Sequence, residues 1–551
     1  MARLSAVKSR CARSIPVTVG RAVGGDASPP VPNHMPKRSM PKPRHVSSPM
    51  PPRLIVQAVL AALLCLCVTA ASHAAQFHVA PHGSNAAAGT RDAPWRTIDF
   101  ALARAHAGDT VFLHAGRYAE KVRFPRSGSR RNGFITLRNV PGERAVIDGS
   151  GLRVAGGEQG LVTIADRSYI RLQGLTITRF RSDDESVPMG VFVTGAGRHI
   201  QLLDNRITAI ETHQPGCEGN ALGIAVYGRR APEALSEIRI RGNEVAHLKT
   251  GCSESVSING NVDGFEIAHN HIHDNNNIGI DVIGHEGMAP DPRFDVARNG
   301  VIVSNTVHGI TSSANSAYPD GEMAAGGIYV DGGRDVIIER NRVFDNDIGI
   351  ELASEHGGKA TRNVLVRNNL IYHNRSMGLA IGGYAPDVGG AEGCRIVHNT
   401  FYHNDTARSW GGEVVIQHNA RDNRFHNNIV YANEQAVFIN YYVESTARPL
   451  ASDHNLFYVE RGRSAGQWQW RGEHFQGMAG YVRATGNDRH SRFADPRFVA
   501  ARAVQDFRLG HRSAAIDAGL NIGDSAFGDL DFEGRPRLNG GAVDVGAYEY
   551  D

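Results

Sequence analysis

An Asn followed two residues later by a branched or aromatic apolar residue recurs nine times, at Asn205, Asn243, Asn270, Asn305, Asn341, Asn369, Asn399, Asn428 and Asn455. The steps between them are 38, 27, 35, 36, 28, 30, 29 and 27 residues. A short unit repeated many times, with insertions in some copies, constrains the chain to a solenoid, because one unit alone cannot bury its apolar face and needs neighbours stacked on it.

The interior of each unit says which solenoid. Five of the phrases are followed five residues on by a second Asn (Asn275, Asn346, Asn374, Asn404, Asn433). Segments such as Gly279-Ile-Asp-Val282, Gly349-Ile-Glu-Leu352 and Gly378-Leu-Ala-Ile381 then alternate apolar and polar residues with the period of a half-buried strand. Asn suits the corners, since its amide mimics a backbone turn and tolerates left-handed conformations. Stacked corners would align the Asn side chains in a ladder that satisfies their amides. The fold expected is all-β, a single-stranded parallel β-helix with an N-terminal helix cap and a C-terminal closing segment.

Residues 1–49 are rich in Arg, Pro and Ser without periodicity and read as a disordered or mis-assigned start. Residues 50–74 read as a secretory leader, with Arg53, an apolar run from Leu54 to Ala71 and a cut after Ala74. Residues 75–151 form an N-terminal cap and first coil, with a helix near 94–107; 152–460 are the repeats, and 461–551 the C-terminal coils and cap. Without residues 1–74, which hold ten Lys and Arg and one acid, the chain carries 49 basic and 55 acidic residues, about −6 net. That balance excludes a nucleic-acid footprint. The expected product is secreted or periplasmic, monomeric and without stable membrane insertion once the leader is cut. Of its three cysteines, Cys217 and Cys252 lie about one coil apart and are able to pair, leaving Cys394 single.

Candidate site residues follow from aligning strands on their glycines. Gly279-Ile280-Asp281, Gly327-Ile328-Tyr329 and Gly349-Ile350-Glu351 put Ile inward and Asp281, Tyr329 and Glu351 in an outward column. Neighbours in it are about 4.8 Å apart and the two carboxylates about 10 Å apart. Inserted loops nearby carry His285, Asp331 with Arg334, and Glu355, His356 and Lys359, while Tyr384 follows on the next coil. After residue 74 there are only three lysines against 46 arginines, and Lys359 alone falls in this acidic stretch.

The opening from Phe77 to Gly151 resembles secreted pectate-lyase-like proteins, especially family-nine polysaccharide lyases, and the repeats are similar to the right-handed parallel β-helix of the pectin-lyase-like superfamily. The resemblance implies the right hand of the helix and an acidic, uronate-containing polysaccharide as partner, cleaved by β-elimination. In that reading Lys359 and Arg334 are catalytic, Asp281, Asp331, Glu351 and Glu355 bind Ca²⁺, and Tyr329, His285, His356 and Tyr384 bind substrate. The family-nine Asp-Asp-Gly-x-Asp cluster is reduced here to Asn277-Ile-Gly-Ile-Asp281 and Asp347-Ile-Gly-Ile-Glu351. The order Glu351, Ser354, Glu355, Lys359 is similar to the chondroitinase-B and alginate-lyase pattern, with altered spacing. A non-catalytic carbohydrate-binding or surface β-helix and a glycoside hydrolase on the same fold are the alternatives.

Overall fold

The computed structural model describes residues 74–551 except 319, 320, 446, 522 and 524–527. The readings made of residues 1–49 and of nearly all the leader, 50–74, lie outside the described residues. Among the described residues, no helix is long and apolar enough to cross a membrane.

The chain winds through three long sheets of stacked, almost entirely parallel strands, here sheets I, II and III in their order within one turn. One turn runs Glu158–Ala165 in sheet I, Ile170–Gln173 in sheet II and Thr176–Ser182 in sheet III. Sheets I and III have 13 strands each, and sheet II has 16. The winding starts at Gln76–Val79, capped by a helix only five residues long, Ile98–Leu102. Thr97 caps that helix by accepting from Phe100 N. It is shorter than the 94–107 segment suggested, since Pro94 and Trp95 go instead to the turn that bonds to His78 and Ser84. The right-handed parallel β-helix is the observed fold, and its core is one continuous apolar column of inward Ile, Val and Leu.

All nine Asn residues stand at the corner between sheets II and III and are buried. From Asn205 to Asn428 each donates its backbone N–H and its Nδ2 to the Oδ1 of the next, at 2.9–3.2 Å. Each amide therefore replaces the backbone partners a tight corner removes. The second set forms a shorter ladder, Asn346 to Asn374 to Asn404. Glu413 ends it by accepting from Asn404 Nδ2 at 2.6 Å, whereas Asn433 turns aside to the carbonyls of Asn404 and Asp405.

Cys217 and Cys252 form a disulfide with Cα atoms 5.1 Å apart, and Cys394 is a buried thiol. The bond packs against Ala317, Tyr318 and Ala324 of a loop inserted before the next strands. Closing a loop of this length is worth about 3–4 kcal/mol. The double variant Cys217→Ser/Cys252→Ser is expected to lose about that much stability in urea unfolding. Reductant should bring the wild type to the same midpoint and leave the variant unmoved.

Candidate functional site

The column reading rests on register, and register is observed. Asp281 pairs with Tyr329, and Tyr329 with Glu351, on adjacent sheet I strands Ile280–Ile283, Gly326–Asp331 and Ile348–Ala353. Their neighbours Ile280, Ile328 and Ile350 are in the core, so the three polar side chains leave the opposite face. The column continues to Ser257 and Ala225 on one side and Ala380 on the other, which confines its polarity to these rungs.

The column is not an open groove floor, however. Asp281, Tyr329 and Glu351 are 2%, 1% and 1% exposed. Neighbouring loops roof this face: the segment after Ile283 brings in Glu286, the segment after Ile310 brings in Tyr318, and Tyr384 arrives from the next coil.

The groups beneath that roof are mostly acids. Burial pushes the Asp281 carboxyl well up, and Glu254, Asp331, Glu286 and Glu355 push it further. Glu254 is raised by burial, then by Glu286. Glu286 is also raised by burial, against an opposing 2.6 Å hydrogen bond from Asn259 Nδ2. Asp281 Oδ1 has no hydrogen-bond partner among the described residues. Asp331 Oδ1 accepts from Glu355 N at 2.7 Å, tying the two rungs together. Buried tyrosines line the cluster. Tyr318, Tyr329 and Tyr384 are each raised first by burial and then by Glu355 or Asp331.

The structure therefore brings together Asp281, Tyr329, Asp331, Glu351, Glu355 and Tyr384. His285 and His356 stand at the rim, half-buried and lowered by burial, and Lys359 lowers both further. Lys359 itself is exposed on the loop after Ser354. Arg334 is not brought in. It opens the sheet II strand Arg334–Glu339, in register between Arg298 and Arg362, and pairs with Asp335. The Gly332-Gly333 turn carries it around the corner, away from Asp331.

Among the described residues, no three oxygens of Asp281, Asp331, Glu351 and Glu355 converge within 4.8 Å; the convergent His/Asp groups lie on other faces. Glu254 is the member sequence reasoning missed, while Glu286 stands in the inserted loop beside His285, where the sequence alone gives it no role. Register aligns Val256 with Ile280, which sets Ser255 where other rungs have Gly279, Gly327 and Gly349. Alignment on glycine alone passed over that rung.

The chain is 40% identical over 440 residues to the uncharacterized protein YwoF of Bacillus subtilis, covering 80% of this chain and 91% of that one. A Pel9A-like right-handed β-helix region matches residues 77–223, and a general right-handed β-helix region matches 189–407. The chain belongs to the pectin-lyase-like right-handed β-helix family. Within this family it is also 30% identical over 173 residues to pectate lyase PEL9 of Emericella nidulans, covering 30% of this chain and 42% of that enzyme. The crystal structure of pectate lyase Pel9A is similar at a TM-score of 0.47 and 16% identity, over 87% of this β-helix chain and 97% of its own.

Proposed function

We propose that this β-helix protein acts outside the cytoplasm on polysaccharide, as a lyase that cleaves a uronate-containing chain by β-elimination. The observation that carries the reading is the cluster of Asp281, Asp331, Glu351 and Glu355 on one outer face, rimmed by His285, His356 and Lys359. The partial likeness to a pectate lyase supports it.

A uronate brought to such a face meets like charge and needs a cation between. The donor set, all carboxylate, is one calcium favours, and the partnerless Asp281 Oδ1 marks where positive charge is wanted. Asp281, Asp331, Glu351 and Glu355 are the residues that would hold the ion. When bound, Ca²⁺ would neutralise the uronate carboxylate and acidify its C5 proton. Lys359, exposed at the rim, would take that proton on its Nζ. The C5 electron pair then forms the C4=C5 bond, the C4–O bond breaks, and the leaving oxygen takes a proton from water. Neutral His285 and His356 would bind hydroxyls at the rim, with Tyr384 and Tyr329 shaping the wall.

Hydrolysis is the second reading, favoured by one observation. Burial raises the Glu254 carboxyl to about 8, which keeps it protonated where ordinary carboxyls ionise, as the general acid of glycoside cleavage must be. Incubation with pectate, alginate and chondroitin sulfate, with Ca²⁺ or with EDTA, separates the two. Elimination gives the ultraviolet absorbance of an unsaturated uronate and stops in EDTA. Hydrolysis gives new reducing ends without that absorbance, and neither signal leaves a binding protein. Lys359→Ala is expected to cut the elimination rate about 100-fold or more with Tm unchanged; full activity would remove Lys359 as the base.

A further inference from the structure

We propose that His271, His273 and His308 form a binding site for a divalent transition-metal ion on the outer face of sheet III. His271 and His273 alternate on the strand His271–His273 and so share a face, and His308 ends the adjacent strand Thr306–His308, in register with His273. One ring nitrogen from each lies within 4.8 Å of the others. His271 Nε2 and His308 Nε2 are 2.9 Å apart. At that distance two neutral imidazoles either share a proton or direct both lone pairs at one cation.

Two neighbours fix the rings for the second role. His273 Nδ1 is 2.8 Å from Asp274 Oδ2, which sets the proton on Nδ1 and leaves the lone pair on Nε2. The His308 ring stacks on Phe344 at 4.8 Å and 12°, and Phe344 on Tyr372 at 4.9 Å and 6°, so an aromatic column holds it in place. Three imidazole nitrogens suit Zn²⁺, Cu²⁺ or Ni²⁺ and do not suit the oxygen-seeking Ca²⁺ or Mg²⁺. His271 is exposed, which leaves room for water or an outside ligand to complete the ion's shell. The ion would clasp two successive turns of the helix.

The test uses the full chain without a histidine tag, stripped with EDTA and dialysed. Zn²⁺ is titrated by calorimetry, and Cu²⁺ is read by its nitrogen hyperfine pattern in electron paramagnetic resonance. One Zn²⁺ per chain is expected, bound about 10–100-fold more weakly in His271→Ala and in His308→Phe. The Phe keeps the ring stack and removes both ring nitrogens. His490→Ala, in the separate Asp453, His454 and His490 group, should leave the affinity unchanged. Equal binding by all four proteins, loss only in His490→Ala, or no Zn²⁺ uptake by the wild type would overturn the proposal. Matching circular dichroism in EDTA shows that the variants are folded.

Discussion

Asn341→Ala is expected to destabilise the protein by about 4–6 kcal/mol, more than any exposed substitution on the same rung. Asn341 is 0% exposed. It donates Nδ2 to Ile302 O and Asn369 Oδ1, and its own Oδ1 accepts from both Asn305 N and Asn305 Nδ2. Alanine keeps the corner backbone but strips partners from three or four buried polar groups, each costing about 1–3 kcal/mol when no water replaces the side chain. The cavity adds to this. Asn205 provides a graded comparison at the ladder's start. Its Oδ1 accepts from Leu175 N, with no amide donor before it, so Asn205→Ala should cost less. Urea unfolding followed by circular dichroism measures both. Equal, small losses would mean the ladder is ornament on a helix held by its apolar column alone.

The ladder was legible in the sequence because it repeats, and so was the alternation that sends Ile280, Ile328 and Ile350 inward and Asp281, Tyr329 and Glu351 outward. Period-two patterning and a fixed coil length are enough to set register. What was not legible comes from the parts that do not repeat. The roof over Asp281 is built by insertions of unlike length, and nothing in their composition tells which strand they cover. Glu254 was missed because Ser255 replaces the glycine that marks the other rungs. The three histidines fall in two different repeats, 35 residues apart at their Asn corners, and they meet only because the strand pairing aligns His273 with His308. Arg334 shows the converse: three residues after Asp331 in sequence, it is carried by a Gly-Gly turn to another sheet.

Asp281→Asn is expected to abolish polysaccharide cleavage, by about 100-fold or more, while making the protein more stable at pH 8. The two outcomes share a cause. Asp281 is buried among carboxylates, and the largest force on it is loss of hydration, followed by repulsion from Glu254 and Asp331. Its folded pKa therefore lies above the ordinary value of about 3.9. The folded protein holds that proton where the unfolded chain has released it, so stability is highest at low pH within this window and falls as pH rises toward the raised pKa. Glu254 and Glu286 are raised for the same first cause and add to the same slope. Asparagine has nearly the same shape and no charge to release. The variant should lose part of the decline in Tm between pH 5 and 8 and melt about 1–3 °C higher at pH 8. A residue kept for packing or for a structural hydrogen bond would behave the other way, losing stability on substitution and little activity. A lower Tm at pH 8 combined with near-full activity would therefore remove Asp281 from the site and leave the carboxylate cluster without its centre.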